Sequence, residues 1–194
     1  MLKKLCVIFI VTNLLTGCIP LAIGGVAAVT VAVIYLHDQR TTTEKDTDAQ
    51  LRQQVERKLN APVFRQECHI VVNVFNGYVL LAGQAPTKDL KIEAQRIALT
   101  THGILKLYNQ IQIAPPISPT ARAKDYWIST RIKIELMKNK SLQTAQLTII
   151  TEDGTVYLMG AATTDQITTA TDIVSKIAGV KQVVQVFPNN QVMN

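Results

Sequence analysis

A chain of 194 residues with 20 Lys and Arg against 14 Asp and Glu carries a formal net charge of +6, a balance that favours anionic partners. Its serines (Ser118, Ser129, Ser141, Ser175) include none in a nucleophile elbow, and His37, His69 and His102 are too scattered for metal-ligand spacing. The glycines sit in turns rather than in phosphate-cradling loops, so the chain reads as a non-enzyme without a metal.

At the N-terminus, Lys3 and Lys4 precede the apolar run Leu5 to Leu15, which ends at Leu15-Thr16-Gly17-Cys18. This basic, apolar and small-residue order is that of a secretory signal, residues 1–17. Its last four residues resemble the lipobox of bacterial lipoproteins, which implies cleavage before Cys18 and a covalent lipid on that cysteine. No other cofactor is expected. Ile19, where a retention signal would carry Asp, implies transfer to the outer membrane and a periplasmic face. Export argues against nucleic acid as the anionic partner. Cys6 leaves with the signal and Cys18 is acylated, so Cys68 stands alone, a small core residue beside Ile70 or the donor of an intermolecular bond.

Residues 18–47 read as anchor, apolar segment and spacer. Ile19 to Leu36 are eighteen uncharged residues, long enough to span a bilayer or to lie along it, although Pro20 and Gly24-Gly25 weaken a helix. The polar run His37 to Thr47 predicts a flexible spacer.

From Asp48, the spacing of Leu51, Val55 and Leu59 predicts a helix over 48–60, with Asp48 as N-cap or first-turn acid. Two strands, Ile70 to Val74 and Tyr78 to Ala82, flank Asn76-Gly77, a strong two-residue hairpin signal. Leu90, Ala94, Ile97 and Ala98 predict a second helix over 87–101 with Gly103 as its cap, and a last strand runs from about Lys106 to Ile113. Ala114-Pro-Pro-Ile-Ser-Pro-Thr120 then breaks helix and ladder alike.

The same module follows again. Gly77-Tyr-Val-Leu-Leu-Ala-Gly83 recurs as Gly154-Thr-Val-Tyr-Leu-Met-Gly160, and at a shift of 77 Asp48 falls on Asp125, Leu51 on Ile128, Val55 on Ile132 and Leu59 on Leu136. The register later slips by one, pairing Gly103 with Gly179. Two copies of this length are tandem domains rather than a solenoid. The expected fold is α+β: two αββαβ domains, 48–114 and 122–188, each with two helices on one face of a three-stranded sheet. Residues 115–121 form the Pro-containing linker and 189–194 a tail.

This order resembles the BON domain in its Asn/Asp-Gly hairpin, its Val-x-Leu-x-Gly strand and a second helix ending before Gly-Ile or Gly-Val. Two such domains behind a lipobox resemble the dual-BON outer-membrane lipoproteins. The resemblance implies binding of anionic phospholipid through the first helix of the second domain, with Lys124, Tyr126, Trp127, Thr130, Arg131, Ile134 and Lys138 as the contact residues. It also implies a role in envelope integrity and division-site localisation.

The differences between copies point to the same helix. Residues 46–114 and 121–187 each hold eight Lys and Arg against six Asp and Glu. In the second copy, however, Arg122, Lys124, Arg131, Lys133, Lys138 and Lys140 crowd one helix with only Asp125 and Glu135 among them. The stripe 124, 127, 131, 134, 138 reads Lys-Trp-Arg-Ile-Lys, where the first copy has Thr47, Gln50, Gln54, Arg57 and Ala61. A lone tryptophan flanked by cations suits the headgroup boundary of a bilayer. The competing reading packs Trp127 and Ile134 against the first domain or the linker prolines. A functional alternative uses Trp127 as a buried anchor for another protein, which makes the chain an oligomeric scaffold or a subunit contacting outer-membrane assembly machinery.

Overall fold

The computed structural model describes residues 32–187 and the backbone of Val192–Met193. The signal, Cys18 and the apolar residues before 32 lie outside them. The elements in chain order are β1 (Val33–Leu36), α1 (Thr42–Lys58), α2 (Pro62–Glu67), β2 (His69–Phe75), β3 (Tyr78–Ala85), α3 (Lys88–Leu99), β4 (Lys106–Asn109) and β5 (Gln112–Ile113). There follow α4 (Pro119–Lys138), a 3-10 turn Lys140–Leu142, β6 (Gln146–Glu152), β7 (Thr155–Thr163), α5 (Thr164–Ser175), β8 (Gln182–Val186) and β9 (Val192–Met193).

Each copy folds as the predicted helix, hairpin, helix and strand. In the first, β3 is central, antiparallel to β2 and parallel to β4 and β5. In the second, β7 pairs likewise with β6 and β8. The hairpins turn on Asn76-Gly77 and Asp153-Gly154, all four at positive φ between 47° and 77°, the mirror-image turn that matches strand twist. On one face of each sheet lies a helix layer. Leu51, Val55, Ala94 and Ala98 cover Val72, Val74, Val79 and Leu81, while Ile128, Ile132, Ala170 and Val174 cover Leu147, Ile149, Val156 and Leu158.

Several boundaries depart from expectation. The first helix starts six residues before Asp48, because Thr41 and Glu44 form a reciprocal capping box; residues 42–47 are helix, not spacer. A short extra helix, α2, buries Phe64 under the first sheet's helix face. Helix α4 begins inside the linker, capped by Ser118 with Pro119 in its first turn. Helix α3 ends at Leu99, and Gly103 lies beyond it in the turn entering β4 rather than capping it. The second sheet is not three-stranded, since β1 adds to β6 at one edge and β9 pairs with β7.

Nor are Asp48 and Asp125 N-caps. Each lies buried within its helix and accepts two backbone N–H groups from its hairpin turn. Asp48 takes Asn76 and Gly77 at 2.6 and 2.9 Å; Asp125 takes Asp153 and Gly154 at 2.8 and 2.9 Å. The carboxylate thus fastens helix to turn in both copies. Asp48 is also gripped by Arg40, whose guanidinium lies over Phe75 and pairs with Asp38. Burial lifts the Asp125 carboxyl above its ordinary value, opposed by its two turn bonds. A folded-state pKa above the unfolded one gives stability that is full below the unfolded value and lost as pH rises through the folded one. Asp125→Ala orphans both amides, and hydrogen bonds to charged groups contribute about 1.5–3 kcal/mol each. The second domain should lose about 2–4 kcal/mol in urea unfolding at pH 7, and Asp125→Asn, which keeps one acceptor but turns its NH2 toward the other turn N–H, should lose at least half of that.

The remaining faces of the two sheets pack against each other. Val71, Phe75, Leu80 and Ala82 of the first domain and Ile150, Tyr157, Met159 and Val186 of the second form one buried layer. Glu152, beside the second turn, meets His69 at 3.4 Å and Gln84 at 3.3 Å at the open end of the first hairpin. The two hairpins therefore point in opposite directions. The whole is a four-layer stack: α1 and α3, first sheet, second sheet, α4 and α5.

Candidate functional site

Helix α4 is an outer layer, and its sequence reads differently on each side. At about 100° per residue, Asp125, Ile128, Ser129, Ile132 and Leu136 share the side turned to the second sheet, and all five are buried. Tyr126, Trp127, Ile134 and Met137 fall on the side opposite, 55%, 49%, 49% and 55% exposed. Apolar residues on two opposed faces cannot both serve one core. The outward stripe lies off the core, and an exposed apolar cluster of this kind is a candidate interaction surface.

Cations border the stripe on both sides. Lys124, Arg131 and Lys138 lie beyond Trp127, while Arg122 and Lys133 lie beyond Tyr126. The Arg131 guanidinium sits 4.9 Å from the Trp127 ring centroid, a cation–π contact that holds the indole outward. Lys138 pairs with Glu135 at 2.8 Å; among the described residues the other four flanking cations have no carboxylate partner. Thr130, between the two aromatics and Ile134, donates its hydroxyl to the Tyr126 carbonyl at 2.9 Å, so it presents no unpaired donor outward.

The structure thus gathers all seven expected residues on one helix surface, facing away from the first domain. Trp127 belongs to none of the three buried clusters, the layer between the two domains included. Sequence reasoning missed Met137, and it counted Arg122 and Lys133 in the basic cluster without placing them on a second flank of the stripe. The signal was available: Met137 is three residues after Ile134 and off the core stripe. The equivalent face of α1 reads Ala49, Gln50, Gln53, Arg57 and Asn60, a wet surface.

Elsewhere, Cys68 is free and partly buried beside Ile70, and burial raises its thiol pKa. It lines a cavity of about 420 Å³ with Arg57, Phe64, Arg65 and His69, remote from α4. Among the described residues no cluster of His, Cys, Asp and Glu could hold a metal, and no helix is long and apolar enough to cross a membrane.

Fold and surface together define a duplicated α+β module, its sheets stacked and one outer helix bearing a cation-bordered apolar face. The family model of the BON domain matches residues 47–115 and 124–187. A relative named outer membrane lipoprotein DolP, from Haemophilus influenzae, is 35% identical over 187 residues, 96% of this chain and 95% of the relative. A 21 kDa hemolysin of Actinobacillus pleuropneumoniae is 31% identical over 77% of this chain and 78% of its own. The C-terminal domain of CdsD, a structural protein of the type III secretion system of Chlamydia trachomatis, matches loosely at 13% identity and TM-score 0.28, over 71% of this chain and 96% of that one. The chain belongs to the dual-BON-domain outer-membrane lipoproteins of the DolP type.

Proposed function

We propose that this protein is anchored by lipid on Cys18 to the periplasmic face of the outer membrane and docks its second BON domain onto anionic phospholipid through α4, in support of envelope integrity and division-site localisation. The observation that carries the reading is the outward stripe of Tyr126, Trp127, Ile134 and Met137, half exposed and bordered by five cations. The name of the Haemophilus relative supports the outer-membrane location.

The physical account is that of a helix lying in the interface plane. The indole and its apolar neighbours enter the boundary between headgroups and acyl chains, and the cations remain among the phosphates. Each cation near an anionic surface adds about 1 kcal/mol. Exposed charges are screened over about 8–10 Å at physiological salt, so docking of a soluble form should weaken at least tenfold between 50 and about 500 mM NaCl. Trp127 emission should shift to the blue with phosphatidylglycerol vesicles and stay in place with phosphatidylcholine. An equal response to both vesicles, or indifference to salt, would remove the electrostatic half of the reading.

A protein-contact function is favoured by a different surface. Ile92, Leu99 and Leu105 are more than half exposed on the first domain, on the outer layer remote from α4. With α4 on the bilayer that layer faces the periplasm, where assembly machinery could meet it. A pull-down without lipid that Leu99→Asp abolishes and Trp127→Glu spares would support a contact there.

A further inference from the structure

The segment following Cys18 does not pass idly to the first domain. Before α1 forms, Val33–Leu36 joins the second domain's sheet as an antiparallel edge strand, Val33 opposite Ile150 and Leu36 opposite Leu147. Leu36 is buried in the second domain's core with Ile34 packed against it, while Val33 enters the layer between the sheets. Ala32 is buried too. Its carbonyl accepts from the Thr151 amide and the Ser129 hydroxyl, both at 3.4 Å, and Ser129 lies midway along α4. Leaving β1, the chain crosses to the first domain, where Tyr35 bonds Asn73 and the Arg40 cluster grips Asp38 and Asp48.

Ala32, where the described residues begin, therefore lies beside α4 at the turn end of β6, on the side of the helix that carries Arg122 and Lys133. From Cys18 to Ala32 is fourteen residues, at most about 50 Å when fully extended. We propose that β1 is a coupling strand, which splices the membrane tether into the docking domain and confines α4 to the bilayer that carries the anchor. This inference rests on the lipid-docking reading above.

Its physical content is an effective concentration. A short tether joined rigidly to the docking domain turns the second binding event into an intramolecular one, a gain of the order of 10²–10⁴ over the untethered domain. Were β1 unseated, the free tether would run on to the Arg40 cluster on the first domain, and the stacked pair could turn α4 toward another membrane. Seating β1 on β6 removes that freedom, since leaving would expose Ile34 and Leu36.

The test uses the full lipidated chain in phosphatidylglycerol vesicles. Tyr35 and Thr148 are directly opposed across β1 and β6, so Tyr35→Cys with Thr148→Cys, in a Cys68→Ser background, places two thiols where a disulfide can close. The oxidised, locked protein should keep the full Trp127 blue shift of the reduced form. It should fail to cluster added acceptor vesicles, and docking should persist at a salt concentration that strips the soluble form. Loss of the shift on oxidation, with recovery on reduction, would mean that the strand must leave for docking, and overturns the proposal. Clustering of acceptor vesicles by the wild type overturns it as well.

Hydrogen exchange on the unmodified protein provides a measurement that needs no variant. Only alternate amides of an antiparallel edge strand face its partner, and the Thr151–Ala32 bond sets the phase, so the amides of Ile34 and Leu36 should stay protected before and after docking; exchange of these two at the rate of an unstructured peptide overturns the coupling. Protection without a blue shift in soluble or anchored protein is a distinct result: the strand is in place, the docking reading has failed, and the proposal falls with it.

Discussion

Trp127→Glu abolishes sedimentation with anionic vesicles while leaving the urea midpoint unchanged. The indole is half exposed, lies outside the buried clusters and carries the Arg131 guanidinium over its ring, so the fold loses little. Surface substitutions of this type change stability by about 0.5 kcal/mol or less. Binding loses two contributions together. Burial of a large side chain stabilises by about 1.5–3 kcal/mol, and a carboxylate placed beside Lys124 and Arg131 cancels about 1 kcal/mol of attraction to the surface. The sum corresponds to a loss of roughly a hundredfold in partition, taking about 1.4 kcal/mol per tenfold. Trp127→Phe should retain most of the affinity. The idea would not survive unchanged sedimentation by the glutamate variant, or sedimentation lost only because the second domain had unfolded. Met137→Glu is the companion prediction, since it adds a charge to the same stripe at a residue that sequence reasoning overlooked.

Gly160→Ala should have the largest effect on stability. Gly160 has φ +147°, a conformation L side chains rarely adopt, and a Cβ built there would land on the carbonyl oxygen of Gln146. Backbone oxygen in a paired strand cannot rotate away as a side chain can. The partner strand would have to separate where Leu147 opposes Gly160, breaking the β6–β7 ladder at its open end. Overpacking of ordinary core sites costs about 1–3 kcal/mol, and the unfavourable φ adds about 1–3 kcal/mol. A loss of about 4 kcal/mol or more would leave the second domain largely unfolded in chemical denaturation. Gly83, at φ +106° against the carbonyl of His69, is its counterpart, so Gly83→Ala should damage the first domain in the same way. A midpoint shift under 1 kcal/mol in either variant would refute the close-approach account.

The repeated glycine shows how much of the fold lay open to reading. Gly83 and Gly160 end the two copies of one strand motif, and recurrence at a fixed offset made both copies visible before any packing was known. Helix periodicity identified Leu51, Val55, Ile128 and Ile132 as core, and all four are buried. The hairpin turns were legible because both turn residues need positive φ, which Asn-Gly and Asp-Gly supply. Asp48 and Asp125 recurred visibly but were assigned to the wrong task. Their bonds go to turns 28 and 29 residues away, contacts that a local capping rule does not consider.

The other face of each sheet was left unassigned for a related reason. Two helices on one face account for Val79 and Leu81, or Val156 and Leu158, but not for the apolar residues between them. Leu80, Ala82, Tyr157 and Met159 made β3 and β7 continuous apolar runs, the pattern of strands covered on both sides. That implied a second cover without naming it. The cover is the other copy's sheet, and it puts α4 on an outer layer, its tryptophan turned away from the first domain.

Sequence by itself determined the duplication, the order of elements within each copy, the buried stripe of each helix and the one surface where the copies part in chemistry. These are local or periodic properties, written in residue type and spacing. Only the tertiary structure decided that the sheets stack face to face, that two helix carboxylates fasten two distant turns, and that Val33–Leu36 belongs to the second domain although it precedes the first in the chain. Long-range pairing of this kind depends on which exposed edge and which apolar face find each other in space, and a one-dimensional pattern carries the demand for burial without specifying the partner that meets it.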